Sequence, residues 1–195
     1  MCRIARAKSR RAGLPVRVLR ADLRSVRLPE RVDLVLCEFN PLNHLPSRND
    51  LGRAARAVAR VLRPGGHFYF DLNTRRSLEE LYPGTRWFEA RDFCLVLHGS
   101  YDRRRRKGRL EFEWFLPAGK FWRRRRERVQ DVCWTEREVR QALRSAGFGR
   151  IRSWDGIDVR PPRPDTRPGF DLYFLAQKLL RDSRSKPQAL TSSAR

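Results

Sequence analysis

Two asparagines and a histidine, Asn40, Asn43 and His44, fall within positions 40–44 of the stretch "FNPLNHL". Carboxamides orient a bound molecule through neighbouring donor and acceptor atoms, and an imidazole exchanges a proton near neutral pH. The three residues follow the apolar run 32–37, where a strand should end, and precede a helix pattern. Two other polar groups share that situation. Asp22 closes a short segment holding Val16, Val18 and Leu19, and Asp71-Leu72-Asn73 closes the run that starts at His67. The plainer role for each is local: an amide pinning its own turn, or a loop histidine bonded to nearby backbone.

The elements that would carry these groups read as strand, helix, strand. Residues 1–12 have a basic helical pattern stopped by Gly13. Residues 16–19 predict a short strand, and 32–37 a strand covered on both faces. Leu51, Ala54, Ala55, Val58 and Leu62 recur at helical spacing, with Asn49 or Asp50 as cap, until Arg63-Pro64-Gly65-Gly66 ends the helix. Residues 67–72 supply the next strand. This order predicts an α/β fold with a parallel sheet, whose ligands sit beyond the carboxyl ends of the strands. Asp22, residues 37–40 and residues 71–73 all lie at such ends.

After Trp87 the period changes to two. Residues 93–101, 110–116 and 121–129 read as antiparallel strands, the last two joined by Pro117-Ala118-Gly119. A three-residue loop there sets Glu113 opposite Arg123, Glu111 opposite Arg125, Trp114 opposite Trp122 and Phe115 opposite Phe121. Thr135 and Glu138 make a capping box for a helix with Val139, Ala142, Leu143 and Ala146 on one face, ended by Gly147. Residues 151–154 and 171–176 supply two final strands. One domain over 1–178, with an antiparallel insert at about 87–132, and a polar, disordered tail over 179–195 follow from this reading.

The formal net charge is +22, yet only five of the 44 basic residues are lysine. The arginines are spread along the chain, with runs at 103–106 and 123–126, and the second run alternates with the predicted partners of acidic residues. Weak, salt-sensitive adhesion to polyanions is expected, rather than specific nucleic-acid recognition. The four cysteines, Cys2, Cys37, Cys94 and Cys133, are far apart, which predicts neither a disulfide framework nor a metal site. No run reaches the roughly 20 apolar residues of a membrane span, and the basic N-terminus lacks the apolar core of a signal peptide. Cytoplasm is the expected location.

The stretches "VLRADLRSVRLPERVDLVLCEFNPLNHL", "LGRAARAVARVLRPGGHFYFDLNT" and "WTEREVRQALRSAGFGRI" together resemble the class I S-adenosylmethionine-dependent methyltransferases. The resemblance implies a Rossmann-like sheet, S-adenosylmethionine as cofactor and a small-molecule acceptor. It implies that Asp22 accepts from the adenine amino group and that the backbone at Leu23 meets the adenine ring. Cys37, Glu38, Phe39 and Asn40 would pass beside the sulfonium and the acceptor, with Asn40 and His44 positioning the acceptor. The insert would lie on the substrate side, with Trp114, Trp122 and Tyr101 as candidate pocket walls. The glycine-rich loop after the family's first strand and the carboxylate after its second have no counterpart before Asp22. The sequence therefore reads as a methyltransferase without its front third, the absent strands falling between those that end at Asp22 and Cys37. A homodimer, or a chain that supplies the missing strands, is an expected partner. Two other readings stay open at this point: a non-catalytic methyltransferase-like subunit, and a basic protein that binds or modifies nucleic acid.

Overall fold

The computed structural model describes residues 2–156 and 169–180. Apart from Leu179 and Leu180, the predicted tail lies outside the described residues. In chain order the elements are α1 (Cys2–Arg11), β1 (Val32–Cys37), a 3-10 turn (Pro41–His44), α2 (Arg48–Val61), β2 (Leu62–Asn73), α3 (Arg75–Glu80), β3 (Gly84–Ala90), β4 (Phe93–Asp102), β5 (Lys107–Ala118), β6 (Phe121–Val132), α4 (Glu136–Ser145), β7 (Phe148–Asp155) and β8 (Asp171–Lys178). They make two four-stranded sheets, ordered β1-β2-β8-β7 and β3-β4-β5-β6.

The first sheet starts with the expected parallel unit, β1 against β2, joined through α2. Strand β8 then runs antiparallel to β2 and to β7. On one face Phe68, Phe70 and Phe174 join Phe148, all fully buried, and Phe70 stacks on Phe174 at 4.9 Å. Burial of each such ring is worth about 1.5–3 kcal/mol. Helices α2 and α4 cover this face through Leu51, Ala54, Ala55, Val58, Val139 and Leu143. Helix α2 is capped by Ser47, whose Oγ accepts from the Asp50 N–H at 3.1 Å, not by Asn49 or Asp50 as expected. A serine two positions earlier reaches the free first-turn amide directly. Helix α4 has the predicted capping box at Thr135 and Glu138.

The other face of this sheet corrects two expectations. Strand β1 is not covered on both faces: Leu34 and Leu36 are 51% and 58% exposed. Beside Leu36 the half-buried aromatics Tyr69, Tyr173 and Trp154 continue an apolar row across β2, β8 and β7. Nor do Val16, Val18 and Leu19 form a strand; their segment is irregular, with Val16 58% exposed. A strand needs a neighbour to take its backbone hydrogen bonds. Here the outer edge of β1 has no partner among the described residues, and the Val18 carbonyl takes a hydrogen bond from Arg6 instead.

The insert is a meander of four strands, one more than expected, because Gly84–Ala90 pairs with β4 as β3. Its last hairpin turns through Gly119 and Lys120, with Ala118 opposite Phe121. The expected register is therefore wrong by three positions: Glu113 faces Arg126, not Arg123, Glu111 faces Arg128, and Trp114 faces Arg125. An odd shift also moves each side chain to the other face. Glu113 pairs with both Arg124 and Arg126, which holds its carboxyl below the usual range, chiefly through the Arg126 hydrogen bond. Substitution Glu113→Lys should therefore lower the melting temperature clearly more than Glu113→Gln. Equal melting temperatures would contradict this pairing. Trp122, expected opposite Trp114, is 60% exposed, while Trp114 packs edge-on to Phe93 at 5.5 Å.

Candidate functional site

Strand β1 ends at Cys37, and the chain then makes a sharp left-handed passage. Phe39 has φ 69° and Asn40 φ 58°. Asparagine tolerates that region, but two consecutive non-glycine residues there store strain of roughly 1–3 kcal/mol each. The passage is held by the Asn40 N–H, which donates to Asp71 Oδ1 at the end of β2 at 3.1 Å. The Asn40 side chain also bonds Asp171 at the start of β8. Its Oδ1 is buried with no hydrogen-bond partner among the described residues. A buried acceptor left open costs stability unless a donor arrives. The structure thus brings the ends of β1 and β2 and the start of β8 around one open acceptor atom.

The remaining predicted residues divide. Phe39 is 89% exposed at the lip of the passage. Glu38 is exposed beside it. The Cys37 side chain points the other way, against the core, where burial pushes its thiol up to about 12. Leu23 also packs against the core, so its side chain anchors the turn at 23–25. Asp22 is exposed and gripped by Arg24: the Arg24 N–H donates to Oδ1 at 2.8 Å and the guanidinium to both oxygens. That grip lowers the Asp22 carboxyl to about 2. Arg24 reaches on to Asp50 at 3.1 Å, so the Asp22 turn is tied to the start of α2.

Asn43 and His44 occupy the 3-10 turn. Asn43 is fully buried and acts as a clamp: its Nδ2 donates to the carbonyls of Val132 at 2.9 Å and Asn73 at 3.3 Å, and its Oδ1 accepts from the Asn73 N–H at 3.0 Å. The indole N–H of buried Trp134 adds a bond to the Leu42 carbonyl at 2.9 Å. His44 is not a loop histidine on nearby backbone alone. Its Nδ1 meets Asp131 Oδ1, at the end of β6, while half of its side chain stays open to solvent. Asp131, only 2% exposed, accepts on its other oxygen from the Tyr82 hydroxyl, and Asn73 Nδ2 donates to that hydroxyl oxygen at 3.3 Å. The hydrogen bond with Asp131 raises the His44 imidazole above its ordinary value, against the opposing effect of burial.

Sequence reasoning missed Asp131 and Tyr82, because Asp131 stands 87 positions from His44 and no spacing rule joins them. A weak signal was present. Gly99 and Gly108 face each other's strands in β4 and β5, and a Cβ at either would collide with Tyr82. Glu138 braces the same corner: it takes Arg106 from the β4–β5 turn and Arg48 from the start of α2, and these bonds hold its carboxyl far below the usual range. Tyr101 packs behind Tyr82 with Leu78 and Cys133, so it is part of this support and not an open pocket wall. Among the described residues, no three His, Cys, Asp or Glu side chains gather to hold a metal ion. No helix there is long and apolar enough to cross a membrane.

Comparison with known proteins bears on the fold and the family. Residues 1–66 match the family described as "Methyltransferase domain". The chain is 24% identical over 167 residues to YqeM of Bacillus subtilis (strain 168), provisionally named a methyltransferase; the match covers 84% of this chain and 66% of that protein. The fold is similar to an S-adenosylmethionine-dependent methyltransferase from Clostridium acetobutylicum ATCC 824, with TM-score 0.76 and 19% identity over 90% of this chain and 70% of that one. It is also similar to the sugar N-methyltransferase KedS8 from Streptoalloteichus sp ATCC 53650, with TM-score 0.66 and 20% identity over 90% and 67% of the two chains. The chain spans about two thirds of the length of these relatives.

Proposed function

We propose that this chain belongs to the class I S-adenosylmethionine-dependent methyltransferases and forms the adenine side and the acceptor side of an enzyme that methylates a small molecule. The carrying observation is the strained passage at Phe39 and Asn40, with its open, buried Oδ1 between three strand ends. S-adenosylmethionine, the methyl donor of this family, would supply an electrophilic methyl group when bound. The residues present suit one side of it. Asp22 is ionised and sits on a turn fixed to α2, so it can accept from an adenine amino group once Arg24 yields part of its grip. The backbone at Leu23 is held beside it by the core. The passage from Cys37 to Asn40 would border the sulfonium, and Asn40 Oδ1 lies beneath it, unpartnered among the described residues.

Methyl transfer asks mostly for alignment of a nucleophile behind the methyl carbon, which binding alone can supply. His44 meets the insert through Asp131, on the side where a small acceptor would enter, while Asn40 sits against the ends of β2 and β8. Carboxylates gather at these strand ends although the chain is strongly basic: Glu38, Asp71 and Asp171. That charge favours an acceptor carrying an amine over an anionic one. The sugar N-methyltransferase among the similar folds is in keeping with such an acceptor.

The nucleic-acid reading is weakened by the ion pairs of the arginine runs. Arg124 and Arg126 meet Glu113, Arg128 meets Glu111, Arg125 meets Glu127 and Arg103 meets Glu79. The test is incubation of the chain, carrying two family-type strands ahead of Met1, with methyl-labelled S-adenosylmethionine and, separately, glucosamine, glucose and bulk RNA. The label should pass to glucosamine, and Asp22→Ala should weaken donor binding by about tenfold to a hundredfold. Label on RNA and not on the sugars would contradict the reading.

A further inference from the structure

We propose that Asp131, held by Tyr82, is a positioning residue that fixes His44 as the proton acceptor for the methyl-accepting amine. The inference deepens, and rests on, the reading of the strand ends as a methyl-transfer site.

The geometry has three parts. Asp131 is buried at the end of β6 and has both carboxylate oxygens engaged, Oδ1 by His44 Nδ1 and Oδ2 by the Tyr82 hydroxyl. Tyr82 is itself seated with no freedom to turn, because Gly99 and Gly108 give its ring and backbone the space a Cβ would fill. The Asn73 and Ser77 side chains complete the chain of bonds, with Asn73 Nδ2 donating to Tyr82 and Ser77 Oγ donating to Asn73 Oδ1 at 3.1 Å. A buried carboxylate costs several kcal/mol unless it is well paired. Three elements of the insert and the end of β2 are committed to holding this one against an otherwise open histidine ring. A purely structural role would not need the ring half exposed at the rim.

With Nδ1 turned to Asp131, Nε2 is the nitrogen left to exchange a proton. An ammonium acceptor must lose a proton before or during attack. Its nitrogen lone pair then forms the new N–C bond while the S–C bond breaks and its electron pair stays on sulfur. The proton released goes to His44 Nε2, and the resulting imidazolium is stabilised by Asp131. Among side chains, Asp131 is the charged group that faces the ring, with the Gln130 backbone beside it. The pairing makes His44 a stronger base than a free imidazole.

The imidazole resonances of the 195-residue chain test this without an acceptor, since there are only three histidines to assign. His44 should carry its proton on Nδ1 when neutral and titrate above a free imidazole. Asp131→Asn should lower its proton affinity by about tenfold or more, and Tyr82→Phe should lower it by less, both in folded protein. A His44 that titrates like a free imidazole, or is unmoved in Asp131→Asn, would overturn the proposal. With glucosamine as probe, Asp131→Asn should lower kcat on the order of tenfold to a hundredfold, leave KM within about twofold, and move the acidic limb of the rate profile to lower pH. An unshifted profile in an active variant would also overturn it. Should the wild type methylate neither sugars nor amines, the methyl-transfer reading fails, while the imidazole signals still decide whether Asp131 sets the state of His44.

Discussion

Two further parallel strands placed ahead of Met1, paired in family order with β1, are expected to raise affinity for S-adenosylmethionine by about a hundredfold or more over the chain alone. The size follows from what the described residues offer. Asp22, the Leu23 backbone and the passage at Cys37 to Asn40 reach the adenine and sulfonium ends of the donor. The methionine carboxylate, its amine and the ribose hydroxyls call for the glycine loop and the acidic residue that the family carries on its first two strands. Each hydrogen bond to a charged group contributes about 1.5–3 kcal/mol, so two or three of them account for such a factor. The same strands would take the open backbone hydrogen bonds along the outer edge of β1 and give residues 16–19 a sheet to join. Solubility should rise with affinity, because an unpaired apolar edge is a template for aggregation. A monomeric, cooperatively folding 195-residue chain that already binds the donor at micromolar levels by calorimetry would contradict this account.

The second large effect is expected at Asn43. Leucine keeps the fork at Cγ, but Asn43→Leu strips the Asn73 N–H and the Val132 and Asn73 carbonyls of their partner in a fully buried place. Leaving such groups unpaired should cost roughly 3 kcal/mol or more, a fall in melting temperature on the order of 10 °C for a domain of this size. The exposed neighbour Asn49 is the control, since its side chain bonds no buried group among the described residues. Should both variants melt together, the clamp is not what joins the insert to the parallel sheet. If the reading is correct, Asn43→Leu should also blur the position of His44, because the same turn carries both residues.

What could be read from the sequence was what depends on near neighbours. The β1–α2–β2 unit is visible because its apolar spacing, Pro64 and the following glycines act within a few residues of each other. The Thr135 capping box is likewise a four-residue device, and it sits where the spacing puts it. Features that depend on distant partners were not legible. Residues 16–19 have strand composition but no adjoining strand to pair with. The hairpin register went wrong at Pro117, which lacks an N–H and therefore reads as a loop. In the fold Pro117 lies beyond the last β4–β5 pair, Cys94 with Phe115, so it needs to bond on one side only, to β6. At the site, Asn40 and His44 stood out through their place after a strand. The purpose of Asn43 as a clamp, and of Asp131 and Tyr82 behind His44, emerges only when the insert folds back on the sheet.

The central claim is that one bound nucleoside donor lies along the ends of β1 and β2, against the Asp22 turn. The direct measurement is mapping of backbone amide resonances in the labelled 195-residue chain during titration with millimolar S-adenosylhomocysteine, a concentration that registers even weak binding. Shifts should concentrate at Asp22, Leu23 and Arg24 and at Glu38, Phe39 and Asn40, and should shrink in Asp22→Ala. Shifts confined to the arginine-rich strand β6, or to the groove of Arg48, Arg56 and Gln141 between α2 and α4, would contradict it.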